Sequence, residues 1–157
     1  MKNSSILLAC LAFSTFALSA TAFAGDTCPN FAGKYQVTSD VENGVPQPVQ
    51  NPAILTITQK ACQEVVMNNG NDPTPSPFQD IIVDGQTHVA GGMSDVGVTF
   101  TMTSHFDGNS LIAFLGMTSQ PGQKLGTLTI ALSPDQKTLT YGMVTPNETF
   151  TMTAVRQ

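Results

Sequence analysis

The chain has 157 residues, with six Lys and Arg against eleven Asp and Glu, three Cys and no Trp. A formal charge of −5 without a basic patch excludes the electrostatics of a nucleic-acid binder. The length suits one domain around one hydrophobic core.

The N-terminus reads as a targeting segment. Lys2 supplies a positive start, and Ile6 to Leu18 is apolar except for Ser14 and Thr15. Ala22-Phe23-Ala24 then places small residues at the −3 and −1 positions of a cleavage site. Residues 1–24 are therefore expected to be a cleaved signal peptide, and 25–157 a single exported domain, periplasmic or secreted. The apolar run is too short for a comfortable membrane span. Leu7-Leu8-Ala9-Cys10 resembles an acylation box, but almost no apolar run precedes Cys10. Beyond residue 24 no second apolar segment approaches spanning length, so no membrane span is expected. That region keeps Lys34, Lys60, Lys124, Lys137 and Arg156 against all eleven acids.

Cys28 and Cys62 remain after cleavage. In an oxidising compartment two cysteines default to one disulfide. Two thiols so far apart, without nearby histidines, do not make a zinc set, so neither a metal nor another cofactor is expected.

From Phe31 onward the sequence alternates with period two. Phe31, Gly33, Tyr35 and Val37 share one parity, and Val98, Phe100 and Met102 repeat it against Thr99, Thr101 and Thr103. Leu128, Ile130 and Leu132 oppose Thr127 and Thr129, and Phe150, Met152 and Ala154 oppose Thr149, Thr151 and Thr153. One apolar face and one threonine-rich face describe antiparallel sheet with a solvated exterior. About ten strands are expected, near 31–39, 53–59, 62–67, 79–83, 86–90, 96–106, 110–117, 125–132, 137–144 and 149–156. Asp84-Gly85, Asp107-Gly108-Asn109, Ser133-Pro134-Asp135-Gln136 and Thr145-Pro146-Asn147-Glu148 supply turns between them.

In an up-and-down meander, successive connections alternate between the two ends of the sheet. The long ones, 40–52, 68–78 and 118–124, fall at one end together with 91–95 and 145–148. The tight ones, 60–61, 84–85, 107–109 and 133–136, fall at the other. That asymmetry predicts an all-β, antiparallel up-and-down barrel of eight to ten strands with a mouth and a closed floor. Cys28, ahead of the first strand, reaches Cys62 across that floor. Arg156 ends the last strand beside the first, where its guanidinium can lie on the Tyr35 ring.

Gly33-Lys34-Tyr35 in the first strand, with Arg156 near the end of the last, resembles the lipocalin and calycin barrels. In that family a Gly-x-Trp and a C-terminal Arg pack together across the closed end. The leading cysteine and the turn Leu132 to Leu139 resemble those of small lipocalin-like proteins exported by bacteria. Tyr35 stands where the family has Trp, and ten strands would suit the fatty-acid-binding branch as well as the eight-stranded one. The resemblance implies that Gly33, Tyr35 and Arg156 form a structural motif.

The apolar faces are either a filled core or the wall of a pocket for a small apolar or amphipathic ligand. Phe100, Met102, Phe114, Tyr141, Met143, Phe150 and Met152 are expected to line the interior; strand 110–117 is apolar on both faces, so its phase is open. Methionine suits a permissive pocket and an ordinary core equally. The alternative to a ligand carrier is a protein-binding module or enzyme inhibitor acting through 40–52 and 68–78. Asn68-Asn69-Gly70-Asn71-Asp72 lacks the carboxylate density of a calcium loop. His88 and His105 belong to no catalytic spacing, so no enzyme is expected and both histidines are placed on the surface. Asn147-Glu148-Thr149 is a glycosylation acceptor pattern in a eukaryotic host. A monomer is expected.

Overall fold

In the computed structural model the described residues are 28–49, 53–70, 79–93 and 97–157. They form eleven strands and no helix: β1 Gly33–Glu42, β2 Val45–Pro46, β3 Ile54–Lys60, β4 Glu64–Asn69, β5 Asp80–Ile82, β6 Thr87–Met93, β7 Val98–Asp107, β8 Ser110–Met117, β9 Gly126–Leu132, β10 Thr138–Val144 and β11 Thr149–Arg156. The first 24 residues, Cys10 and most of 68–78, including Asn71 and Asp72, lie outside the described residues.

All strands belong to one antiparallel sheet in the order β5-β4-β3-β1-β11-β10-β9-β8-β7-β6, with β2 folded back on β1. The first and last long strands pair from Tyr35–Arg156 to Glu42–Phe150, which curls the meander into a barrel. The barrel is nearly closed. No ladder joins β5 to β6 among the described residues. There β5 leans on β7 instead, with the Ser104 hydroxyl donating to the Ile82 carbonyl and Gly85 N–H donating to the Ser104 carbonyl at 3.0 Å.

Alternation explains the faces. Inward Leu128, Ile130 and Leu132 of β9 are at most 5% exposed, while Thr127 and Thr129 between them face outward. The Thr87 and Thr103 hydroxyls hydrogen-bond across the outer face at 2.7 Å. Connections also fall as the meander requires: the long ones after β1, β4 and β8 share one end with those after β6 and β10, and the tight ones after β3, β5, β7 and β9 share the other.

The floor is built around Tyr35, which is completely buried. Its hydroxyl donates to the Phe31 carbonyl at 2.8 Å and accepts from Arg156 Nη2 at 2.6 Å and Nε at 3.2 Å. The guanidinium carbon sits 5.2 Å from the ring centroid, and Nη2 also donates to the Asn30 carbonyl at 2.8 Å. Gly33 has a φ of +155° with the Tyr35 ring and Arg156 beside it, a conformation that a side chain would strain. The Cys28–Cys62 disulfide closes the arm onto the floor with a Cα separation of 5.6 Å. Gln59 completes the tie, accepting from Phe31 N–H at 2.8 Å and donating to the Pro29 carbonyl at 3.0 Å. Above it, Phe31 stacks on Phe106 with centroids 6.2 Å apart.

Two departures from simple alternation matter. The register of β1 against β11 slips between Val37 and Ser39, so Thr38 is an extra residue. Strand β1 then continues to Glu42 and turns at Asn43-Gly44, both at positive φ (51° and 78°), into β2. Residues 40–42 and 45–46 are thus strand, where 40–52 was expected to be a loop. The second slip lies between Val89 and Gly91 in β6.

Candidate functional site

Burial changes along the barrel axis. Inward residues near the floor and middle, among them Tyr35, Ile57, Val65, Leu111 and Leu139, are at most 2% exposed. Inward residues nearer the mouth, Val37, Tyr141, Met143, Phe150 and Met152, are apolar but only partly buried. A filled lower barrel therefore carries an open apolar upper rim, and two recesses open there. One, about 290 Å³, is lined by Val37, Leu55, Met67, Asn69, Gln79, Tyr141, Phe150 and Met152. The other, about 330 Å³, is lined by Phe100, Leu115, Leu125, Met143, Thr145, Pro146 and Asn147. Phe150 of the first recess and Met143 of the second are directly opposed on β11 and β10, so the two recesses adjoin across that pair. Tyr141 meets Phe150 edge-on at 5.9 Å. Burial pushes its hydroxyl pKa up to about 12.

The β1 bulge adds charge to this apolar rim. Ala154, opposite Val37, faces inward; beyond the slip Asp40 stands opposite Met152 and Glu42 opposite Phe150. Directly opposed residues share a face, so both acids stand on the inner side of the sheet at the rim, Asp40 half-buried and Glu42 exposed. Asp40 Oδ1 is buried and has no hydrogen-bond partner among the described residues. Burial, and then repulsion from Glu42, raise the Asp40 pKa above its usual value. The edge is held in place: Gln47 N–H donates to the Asp40 carbonyl at 2.8 Å, and Asn43 exchanges hydrogen bonds with Thr149 at 2.7 and 2.8 Å.

Of the residues expected to line the interior, Tyr141, Phe150 and Met152 share the first recess, and Phe100 and Met143 share the second. Met102 is 3% exposed and borders a third hollow of about 260 Å³ at the β5/β6 break, beside Ile82, His88 and Gly91. Phe114 is a correction: it points outward and is 37% exposed. The reason is register, because Leu111, Ala113 and Leu115 oppose inward Phe106, Ser104 and Met102 and leave Phe114 opposite outward Thr103. There it packs on His105 at 5.8 Å, under the Lys124 ammonium at 4.1 Å. Val37 and Met67 were legible as apolar alternation but not as pocket wall. Asp40 had no sequence signal, since unbroken alternation would turn it to solvent.

His105 lies on the outer face as expected. His88 sits opposite inward Met102, at the edge of the β5/β6 break, with Nε2 2.9 Å from both carboxylate oxygens of Asp84. The Gln86 N–H, and then His88, hold the Asp84 carboxyl below its usual value. A further hollow, about 600 Å³, lies under the floor between Cys28, Cys62 and the turns at Val83–Gly85 and His105–Gly108. It is a groove among turns, separated from the mouth by the filled core, and the apolar rim is the better ligand site. No group of three or more His, Cys, Asp or Glu among the described residues could hold a metal ion. No helix among them is long and apolar enough to cross a membrane.

No family model matches the sequence, and no curated protein matches it. Solved structures do match the fold. The wild-type fluorescent protein UnaG aligns with a TM-score of 0.52 at 15% identity, covering 81% of this chain and 97% of that one. A structure titled REP1-NXSQ fatty acid transporter aligns at 0.51 and 15% identity, covering 80% and 95%. This chain has a calycin-like fold. In the Gly33–Tyr35–Arg156 floor of this barrel, Tyr35 presents a hydroxyl to the arginine as well as a ring face.

Proposed function

We propose that this calycin-like barrel is an exported binding protein for a small apolar or amphipathic molecule held at the mouth. One observation carries the reading: the lower interior is filled, while the upper inner face is a half-buried apolar wall around adjoining recesses. A structural neighbour titled as a fatty acid transporter supports it. Export rests on the leader-like residues 1–24 and agrees with the Cys28–Cys62 disulfide. As a monomeric carrier, the protein holds its ligand without altering it. The rival reading, a partner-binding rim, has less support, because residues 40–46 are committed to strand and hairpin pairing.

The neutral fluorescent probe N-phenyl-1-naphthylamine tests the proposal. The expected result is saturable binding at one site per chain, lost in Val37→Trp, which fills the first recess, without loss of the folded baseline. Absence of saturable binding to the wild-type chain would overturn it. Native mass spectrometry of protein taken from its own host should show a removable mass, recovered chemically unchanged. N-terminal sequencing of the same material should begin at Gly25.

A further inference from the structure

The mouth joins an apolar wall to negative charge. Asp40 and Glu42 reach the inner face only because Thr38 is inserted into β1; Glu42 is exposed there, and Asp40 is half-buried with one oxygen, Oδ1, that has no hydrogen-bond partner among the described residues. Each basic side chain beyond residue 24 is placed elsewhere. Lys34 is exposed, with its strand neighbours Gly33 and Tyr35 occupying the floor. Lys60 ends β3 at the floor and Lys137 lies in a floor turn. Lys124 covers Phe114 on the outer face, and Arg156 is bound to Tyr35 and Asn30. The sequences of 50–52, 71–78 and 94–96 contain no Lys or Arg.

From this arrangement we infer that the mouth selects ligands with a positively charged end, a protonated amine or quaternary ammonium on an apolar body, over fatty acids of equal length. The inference rests on the carrier reading and names its ligand class. An apolar tail leaves water against Tyr141, Phe150 and Met152, while the cationic end meets the Asp40 carboxylate. That contact offsets the repulsion between Asp40 and Glu42. A ligand carboxylate in the same place would add a third like charge without a cation to balance it. The bulge is thus a specificity device: without it, the same sequence would present Ser39 and Val41 inward.

The test compares three probes of one chain length on the purified full chain by titration calorimetry below micellar concentrations: dodecyltrimethylammonium, dodecanol and dodecanoate. At low salt the ammonium should bind about tenfold or more tighter than dodecanoate, with dodecanol between them. Asp40→Asn combined with Glu42→Gln should weaken the ammonium by about fivefold and change dodecanol by less than about twofold. Dodecanoate binding as tightly as the ammonium would overturn the charge selectivity and leave the carrier reading standing. So would an unchanged ammonium-to-dodecanol ratio in a folded double variant. If that variant fails to fold, the wild-type ranking alone decides. Failure of all three probes to bind would overturn the carrier reading, and this inference with it.

Discussion

Replacing Tyr35 by Phe removes one oxygen from the barrel floor and nothing else. That oxygen is fully buried and makes three hydrogen bonds, one given to the Phe31 carbonyl and two taken from the Arg156 guanidinium. A neutral hydrogen bond contributes about 1 kcal/mol, and bonds to a charged group about 1.5–3 kcal/mol. Arg156 is only partly buried and keeps Asn30, so it recovers some of its loss through water. The expected net cost is about 2–3 kcal/mol, or about 8–12 °C in Tm for a domain of this size. Urea denaturation under oxidising conditions would measure it. Arg156→Met should cost a similar amount, and the double variant should cost at least about 1 kcal/mol less than the sum, because both single changes remove the same Tyr35–Arg156 hydrogen bonds. A Tyr35→Phe cost below about 0.5 kcal/mol, or strict additivity with Arg156→Met, would refute the account of the floor.

Two further outcomes follow from the same structure. Reducing Cys28–Cys62 should lower the thermal midpoint by about 12–16 °C, since a cross-link closing about 35 residues contributes about 3–4 kcal/mol in the chain-entropy model; an unchanged midpoint with reductant would contradict it. Tyr141 should titrate late. Its folded pKa near 12 exceeds the unfolded value of 10.0, so its contribution is fully present below pH 10 and is lost as pH rises from there toward 12. Absorbance at the phenolate band should show the delay, and Tyr141→Phe should flatten the alkaline fall in stability.

The residues themselves declared much of this molecule. Period-two alternation from Gly33 to Arg156 marked the long strands and their inner faces, because successive side chains on a strand must point to opposite sides. The turn chemistry of Asp84-Gly85 and Asp107-Gly108 separated those strands, and the loop lengths sorted mouth from floor. The pairing of Tyr35 with Arg156, 121 positions apart, was anticipated because a meander that closes must bring its first and last strands together. Local pattern stopped short where the partner strand sets the outcome. Phe114 follows β8 residues apolar on both faces, so only the register with β7 and β9 turned it outward. At the break beside β5, Ser104 of β7 reaches the Ile82 carbonyl, a contact with no trace in either segment's alternation. Asp40 faces the mouth because β1 carries one residue more than β11 needs at Thr38. An insertion of that kind exists only relative to the opposing strand, so sequence periodicity supplied the barrel, and pairing between distant strands decided the charge at its entrance.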